Sequence, residues 1–448
     1  MSSHHNSLHV DYHKINNIKG YSGTARAHNR KQRKKLEAMI RRYGQVLPIP
    51  VDRDLVIVDG HAVHAAMIAA GFDEIAVIVV ADRSPEEIRA LRLALNRITE
   101  EATWDPDGLR TELQFLTEIG FDLDLTAFDA PEIDMALSID EPSADAVEEV
   151  SQADLEPAAS PAVEPGDWFT LGRHVVACGD ARDALLLKNM AGSREAAAVF
   201  TDPPYNVPVD GFVSGLGKIR HREFPMASGE MSPEEFITFL QSFLGAASGI
   251  LAPGAILFVC MDWRHIRELL DAASSRYELK NLCVWAKSNA GMGSFYRSQH
   301  ELIAVLKFGE AAHRNNIELG KHGRNRSNLW RYAGMNVFGR DRMKLLGAHP
   351  TVKPTAMIVD ALKDVTRRGD LVLDPFLGSG STLIAAEETG RDCIGVEMDP
   401  GYVETAIRRW EARTGHDAIH GKTGETFADY AERIRVSRDE APASDMEG

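Results

Sequence analysis

A glycine turn in the C-terminal part of the chain constrains the fold more than any other feature. The string Phe376-Leu377-Gly378-Ser379-Gly380-Ser381-Thr382 lies between a strand pattern, 370–374, and a helix pattern, 381–389. Gly378 and Gly380 allow a sharp turn and a close approach of ligand to backbone. A further strand pattern, 392–396, ends at Glu397, which is placed to accept from ribose hydroxyls. The segment is predicted to be a βαβ unit that binds a nucleoside-bearing cofactor.

A Gly-x-Gly string alone is more often structural than ligand-binding. Here the strand, turn, helix, second strand and acid follow one another in order, which favours binding. Leu383 occupies the place of the third glycine of the dinucleotide fingerprint. The turn is therefore not expected to bind NAD or FAD.

A second string, Asp202-Pro203-Pro204-Tyr205, has residues that can bind the amino group of a planar nucleic-acid base. It follows residues 196–201, an apolar run typical of a buried parallel strand, and is expected at the carboxyl edge of the sheet. The Asp202 carboxylate and the Pro203 carbonyl can accept the two amino hydrogens, and Tyr205 offers a ring for stacking. Asp-Pro-Pro alone favours a strand-ending turn, but the glycine turn downstream makes a catalytic role the better interpretation.

Residues 167–412 resemble the amino-group DNA methyltransferases that depend on S-adenosylmethionine. In that family Asp-Pro-Pro-Tyr is the catalytic motif and Phe-x-Gly-x-Gly contacts the cofactor. Their order along this chain resembles the permuted β group. Three further strings support the resemblance: Cys178-Gly179-Asp180, Tyr296-Arg297-Ser298-Gln299-His300-Glu301 and His349-Pro350-Thr351-Val352-Lys353-Pro354.

The resemblance implies a site-specific enzyme of the kind found in restriction–modification systems, acting on a base that leaves the duplex. Its catalytic residues would be Asp202, Pro203, Pro204 and Tyr205. S-adenosylmethionine is the implied cofactor, with no metal ion, and its contacts would be Asp180, Asp374, Phe376, Gly378, Gly380, Thr382, Glu397 and Lys353. The aspartate that opens the motif favours adenine N6 as the target. Cytosine N4, RNA and a DNA-binding protein with an inactive methylase domain stay open as alternatives.

The charge distribution indicates where DNA would bind. The formal net charge is −16, but acidic residues are concentrated near 139–167 and in the C-terminal tail. The segment at about 310–345 is basic, and arginine both binds phosphates and reads base edges. We predict a target-recognition segment there, with a solvated loop as the alternative; its DNA contacts would be Arg314, Lys321, Arg324, Arg326, Arg331, Arg340 and Arg342. Residues 26–42 are equally compatible with a phosphate-contacting arm or a solvated helix face.

The remaining composition favours a cytoplasmic protein. The four cysteines show no Cys-x-x-Cys spacing, so neither disulfides nor a zinc site is expected. No apolar run reaches the ~18 residues that a membrane span needs, so no membrane association is expected. The expected partner is double-stranded DNA, and homodimerisation is left open.

The first part of the chain is predicted to be a separate small α+β domain, residues 8–95. Val58-Asp59-Gly60-His61, between a strand pattern and a helix, resembles the turn of ParB-type N-terminal domains. In nucleotide-handling members arginines follow this turn, whereas Ala62-Val63-His64 follow it here. Triphosphate hydrolysis is therefore not expected, and the domain is interpreted as a DNA-binding or positioning accessory.

Four further segments complete the expected organisation. Residues 96–138 form a helical extension, and residues 139–166 form a flexible acidic linker. Residues 167–415 form the methyltransferase domain, an α/β, Rossmann-like, mostly parallel sheet with helices on both faces. Residues 416–448 are a C-terminal tail, partly disordered, with no structure assigned from about 436.

Overall fold

The computed structural model describes residues 8–23, 29–101, 103–137, 157–158, 160–207, 229–287, 296–317, 326–332 and 353–440. The chain divides into two compact units, Met1–Asp140 and Glu141–Gly448. Most of the expected acidic linker (residues 139–166) lies outside the described residues, which omit residues 139–156. Among the described helices, none combines the length and the hydropathy needed to cross a bilayer.

The N-terminal unit contains a three-stranded sheet made of β1 (Asp11–Lys14), β2 (Ile49–Val51) and β3 (Glu74–Val79), in the order β1-β3-β2. The helices α1 (Arg30–Tyr43) and α2 (His61–Ala70) contribute Ile40 and Met67 to its core. Helix α2 begins at His61, directly after the ParB-like turn. Gly60 makes this entry possible with φ +93, where a Cβ atom would lie 2.5 Å from Ile49.

Three helices complete this unit among the described residues: α3 (Pro85–Glu101), α4 (Pro106–Glu118) and α5 (Ala130–Leu137). Helix α3 continues through residue 95, where the sequence suggested a boundary. Asp105 caps the start of helix α4, because its side chain accepts a hydrogen bond from the Gly108 N–H. Leu113 of α4 packs with Ile133 of α5 in a small separate core.

The C-terminal unit is built on one sheet with ten described strands, in the order β10-β8-β9-β7-β6-β11-β12-β5-β4-β13. The five central strands β7, β6, β11, β12 and β5 are mutually parallel, and the flanking strands β9, β8, β4 and β13 introduce antiparallel pairs. The strands are β4 (Trp168–Leu171), β5 (His174–Cys178), β6 (Ala196–Thr201), β7 (Leu251–Met261), β8 (Tyr277–Ala286), β9 (His300–Phe308), β10 (Leu329–Arg331), β11 (Leu371–Asp374), β12 (Asp392–Glu397) and β13 (Ile419–His420).

Helices cover both faces of this sheet, as expected for a Rossmann-like fold. Alternate residues of β6 enter two different cores: Phe200 lies in one and Val199 in the other. The Val199 core is closed by α6 (Ala184–Ala191), α7 (Pro233–Ser248) and α8 (Ile266–Ala273). The Phe200 core is closed by α9 (Thr355–Val365), α10 (Ser381–Thr389), α11 (Pro400–Thr414) and α12 (Phe427–Glu440).

The folded unit extends further at both ends than the sequence suggested. After residue 415, β13 pairs with β4, and α12 continues to Glu440. Phe427 and Tyr430, three residues apart on α12, are buried, because one face of this otherwise charged helix packs on the core. Before residue 167, Ala162 is buried, and its N–H donates to Glu404 Oε2 at 2.8 Å. Residues 441–448 lie outside the described residues.

Candidate active site

The two strings that the sequence singled out meet at the carboxyl edge of the parallel strands. Strand β6 ends at Thr201 and is followed directly by Asp202, while the neighbouring β11 ends at Asp374. The Thr201 hydroxyl donates to Asp374 Oδ1 at 2.9 Å. Carboxyl ends of parallel strands lie at one edge of a sheet, so the fold brings together segments far apart in the chain.

Two buried and two half-buried side chains form a polar cluster at this edge. The Tyr205 hydroxyl donates to Asp202 Oδ1, and the Lys353 ammonium donates to Asp202 Oδ2. Glu301, on β9, places Oε2 at 3.1 Å from Lys353 Nζ and 3.2 Å from Tyr205 Oη. Lys353 and Glu301 are only 4% and 8% exposed. Both oxygens of the Asp202 carboxylate are thus engaged by donors of the protein itself.

A second lysine extends the cluster towards solvent. Lys287, directly after β8, donates to Glu301 Oε1 at 2.5 Å, and its side chain is 26% exposed. The ring of Trp285 lies near both ammonium groups, with its centroid 4.8 Å from Lys287 Nζ and 5.9 Å from Lys353 Nζ. Sequence reasoning assigned no role to Glu301 or Lys287. Glu301 stood in a family-like string, whereas nothing in the sequence distinguished Lys287 from other lysines.

The charges of the cluster are set by burial and by the opposite charges within it. Burial disfavours the Lys353 ammonium, but the carboxylates of Asp202 and Glu301 outweigh it and raise the pKa of Lys353. Burial also acts to raise the pKa of Glu301, yet Lys353 and Lys287 together lower that pKa to about 2. For Asp202, burial and the neighbouring Glu301 raise the pKa in spite of Lys353. Glu301 and Lys353 are therefore both charged, and Asp202 is the less readily ionised carboxyl.

The glycine turn leaves room for a ligand on one side. Gly378 has φ +53, and no atom lies within 4 Å of the position its Cβ would take. Gly380 has φ +88, and its Cβ would lie 3.0 Å from that of Ala406. Glu397 closes the turn by accepting the Gly378 N–H at 2.9 Å, and it stays partly exposed. The open space at Gly378, bordered by a carboxylate with further lone pairs, fits the predicted cofactor site.

Asp374 and Thr382 contact the glycine turn on its buried side. Asp374 accepts the Phe376 N–H at 3.1 Å and a hydrogen bond from Thr382. Burial raises the pKa of Asp374 to about 7, against these hydrogen bonds. Both side chains are buried, at 3% and 2% exposure. Their contacts shape the loop from inside the domain.

Phe376 contacts helix α7 directly, and Asp180 is linked to the same helix through Arg182. The Phe376 ring packs edge-on against Phe243 with the centroids 5.1 Å apart. Asp180, after β5, forms an ion pair with Arg182 at 2.7 Å, and Arg182 lies over the ring of Phe239. The hydrogen bonds from Arg182 outweigh burial and lower the pKa of Asp180, so this half-buried carboxylate stays ionised.

The predicted DNA contacts have different surroundings. Lys321, Arg324, Arg340 and Arg342 lie outside the described residues. Arg314 and Arg331 are exposed. Arg326 instead points into the domain: it donates to Asp360 at 2.8 Å and forms an ion pair with Asp364 at 2.7 Å. These bonds tie the segment before β10 to helix α9.

The fold and the site define a Rossmann-like enzyme with a carboxylate at the end of β6 beside a glycine turn at the end of β11. Residues 196–408 match a family model described as DNA methylase. Residues 107–165 match the ParB-methyltransferase HTH domain. Residues 196–408 are therefore assigned to the N6/N4 class of DNA methylases, and the chain also carries a ParB-related module; both matches support DNA as the partner.

Curated relatives are consistent with this assignment. Type II methyltransferase M2.DpnII of Streptococcus pneumoniae is 26% identical over 223 residues, which are 48% of this chain and 82% of that protein. Type II methyltransferase M.HpaI of Haemophilus parainfluenzae is 24% identical over 260 residues, 54% of this chain and 76% of that protein. Among solved structures, the cytosine-N4-specific PvuII DNA methyltransferase is 18% identical with a TM-score of 0.41, covering 62% of this chain and 96% of that one.

Proposed function

We propose that this enzyme transfers a methyl group from S-adenosylmethionine to adenine N6 in duplex DNA, acting on a base turned out of the helix. The observation that carries the proposal is the position of Asp202 at the end of β6, beside the glycine turn that follows β11. A carboxylate at this edge can accept from an exocyclic amino group while the cofactor occupies the adjoining space. Extruding the base costs a few kcal/mol, so the pocket must hold it well.

The cofactor site is proposed on the residues that border the open space at Gly378. Glu397 is placed for the ribose hydroxyls, and Asp180 and Phe376 for the adenine. The conformation of the glycine turn itself depends on Asp374, Gly380 and Thr382. When bound, S-adenosylmethionine supplies an electrophilic methyl group; the protein's part is to fix the acceptor nitrogen opposite it.

Asp202 and the Pro203 carbonyl are the proposed acceptors for the two amino hydrogens. The nitrogen lone pair of adenine is delocalised into the ring, and binding both hydrogens favours the pyramidal, reactive nitrogen. Pro203 and Pro204 have no N–H and do not compete with the amino group for these acceptors. Positioning and local electrostatics supply most of the acceleration, without a strong general base. The initial aspartate and the permuted motif order support adenine over cytosine.

DNA contacts are proposed on both units. In the C-terminal unit the exposed Arg314 and Arg331 are retained, with Lys321, Arg324, Arg340 and Arg342, while Arg326 is proposed as an anchor of the segment. In the N-terminal unit, Lys31 and Lys35 of α1 pair with Asp129 at 2.7 and 2.6 Å. Four more basic residues of α1 are exposed and are proposed as a second phosphate-contacting face: Arg30, Arg33, Lys34 and Arg42.

We place the reaction in the cytoplasm. Four cysteines are buried and free, which suits a reducing compartment. A homodimer on one duplex is a further part of the proposal, and the mass of the protein–DNA complex in solution tests it.

The test is digestion and mass analysis of unmethylated plasmid DNA incubated with the protein and labelled S-adenosylmethionine. N6-methyladenine is the expected product. N4-methylcytosine would keep the fold and the site but overturn the choice of base. Absence of label in DNA, with the cofactor still bound, would overturn the proposed reaction and direct the search to RNA.

A further inference from the structure

The Asp202 carboxylate is occupied before any base arrives. Lys353 donates to one of its oxygens and Tyr205 to the other. An amino group that is to be held by Asp202 needs one of these oxygens, so a protein donor must give way. Moving the Lys353 ammonium away would be costly, because removing one partner of a buried ion pair leaves an uncompensated charge.

Glu301 provides a second acceptor for both displaced donors. Its Oε2 atom lies 3.1 Å from Lys353 Nζ and 3.2 Å from Tyr205 Oη. Small movements of either donor would therefore transfer a hydrogen bond from Asp202 to Glu301. The exchange keeps each donor satisfied and adds no net charge to the buried site.

The neighbours of Glu301 keep it in the charge state that this exchange needs. Lys287 donates to the other oxygen, Oε1, at 2.5 Å, and with Lys353 it lowers the pKa of Glu301 to about 2 against burial. Other titratable groups that interact with Asp202 or Lys353 include Tyr205, the buried Cys260 and the buried Asp374. A neutral Glu301 could not compete with Asp202 for an ammonium group.

We propose that Glu301, held by Lys287, is a positioning residue that accepts the hydrogen bonds of Lys353 and Tyr205 when the target amino group engages Asp202. The inference rests on the proposed methyl transfer and adds a role for two residues that the motif did not include. Glu301 acts through Lys353 and Tyr205 and need not touch the reacting atoms.

The first test is Glu301→Gln, assayed with labelled S-adenosylmethionine on unmethylated plasmid DNA. The amide keeps the shape but not the charge, so Lys353 stays on Asp202 and kcat/KM for DNA falls roughly 10- to 100-fold, as expected for the loss of one charged hydrogen bond. Binding of S-adenosylmethionine should change less than about twofold, because the glycine turn is untouched. The matched control is Glu278→Gln, the same change in the same pair of strands, at a carboxylate that pairs with Lys280 and Lys307.

The second test is the pH profile of Lys287→Met, which stays informative if Glu301→Gln does not fold. The acid limb of kcat/KM reports the ionisation of both Asp202 and Glu301; without Lys287, burial is less opposed, the pKa of Glu301 rises, and the limb should move to higher pH. A purely structural role of Lys287 would lower activity without moving that limb. A Glu301→Gln variant as active as Glu278→Gln, or a Lys287→Met profile with an unmoved acid limb, overturns the inference. Wild-type protein that labels no DNA would instead contradict the proposed function itself.

Discussion

Lys353 donates a hydrogen bond to the Asp202 carboxylate across 151 residues of chain. One residue precedes helix α9 and the other follows strand β6, and the sheet order brings them together. The contact balances the charge of the proposed catalytic aspartate in the base-free site. In the proposed reaction, base binding would therefore exchange one partner of Asp202 for another rather than fill an empty acceptor.

Asp202→Ala should abolish methylation while S-adenosylmethionine binding is largely retained. The variant removes the acceptor for the amino group, but Lys353 keeps Glu301 at 3.1 Å, so the domain should still fold. Label incorporation into plasmid DNA and equilibrium binding of the cofactor measure the two effects separately. Full activity in this variant would contradict the proposed mechanism.

The variants Gly378→Ala and Gly380→Ala should distinguish a glycine that leaves space for the cofactor from one that is required for packing. At Gly378 the added methyl group enters open space, so cofactor affinity should fall while stability changes by only about 1–2 kcal/mol from the positive φ. At Gly380 the methyl group meets Ala406 at 3.0 Å, so stability should fall further. Thermal unfolding and cofactor titration of both variants check this. Equal cofactor affinity in wild type and Gly378→Ala would place the ligand elsewhere.

Asp374→Asn should remove a pH dependence of stability. In the folded protein the pKa of Asp374 is raised to about 7, so its contribution to stability is fully present below the unfolded pKa of ~3.9 and is lost as pH rises through 7. Within that window the free energy of unfolding should fall by about 1.4 kcal/mol per pH unit from this group alone. Denaturant unfolding of both proteins from pH 4 to 8 measures the difference. Parallel curves would show that Asp374 ionises normally.

Arg326→Gln should destabilise the C-terminal unit by about 3–5 kcal/mol, because Asp364 is buried and would lose a charged partner. The exposed Arg331→Gln serves as the control and should change stability by less than about 0.5 kcal/mol. Adding Asp364→Asn to Arg326→Gln should restore part of the loss. Additive losses in the double variant would argue against the ion pair as the cause.

Neutralising Arg314 and Arg331 should weaken DNA binding and its dependence on salt. Removing one cation that neutralises a phosphate should lower the slope of log K against log salt by about 0.9. Binding to duplex DNA at several salt concentrations measures that slope. Arg194→Gln, at an exposed arginine paired with Asp392, is the control and should leave the slope unchanged. An unchanged slope in the double variant would show that neither arginine binds a phosphate.

Local patterns in the sequence were sufficient to predict the central elements of the fold. The apolar run 196–201 and the helix 381–389 coincide with β6 and α10, because strand burial, glycine turns and helix starts are encoded over a few residues. The tail was harder to interpret. Half of the residues of α12 are charged, so the sequence shows no clear apolar face. Phe427 and Tyr430 are recognised as buried only when the helix is seen packed on the core.

By itself, the sequence determined the Rossmann-like class, the resemblance to amino-group methyltransferases, and the candidate strings around Asp202 and Gly378. Only the tertiary structure decided that Lys353 and Glu301 share the site of Asp202, that Lys287 neighbours Glu301, and that Arg326 points inwards. The physical reason is that turns and periodicity are local properties. Ion pairs between distant segments depend on the order in which strands pair, which no short stretch of sequence specifies.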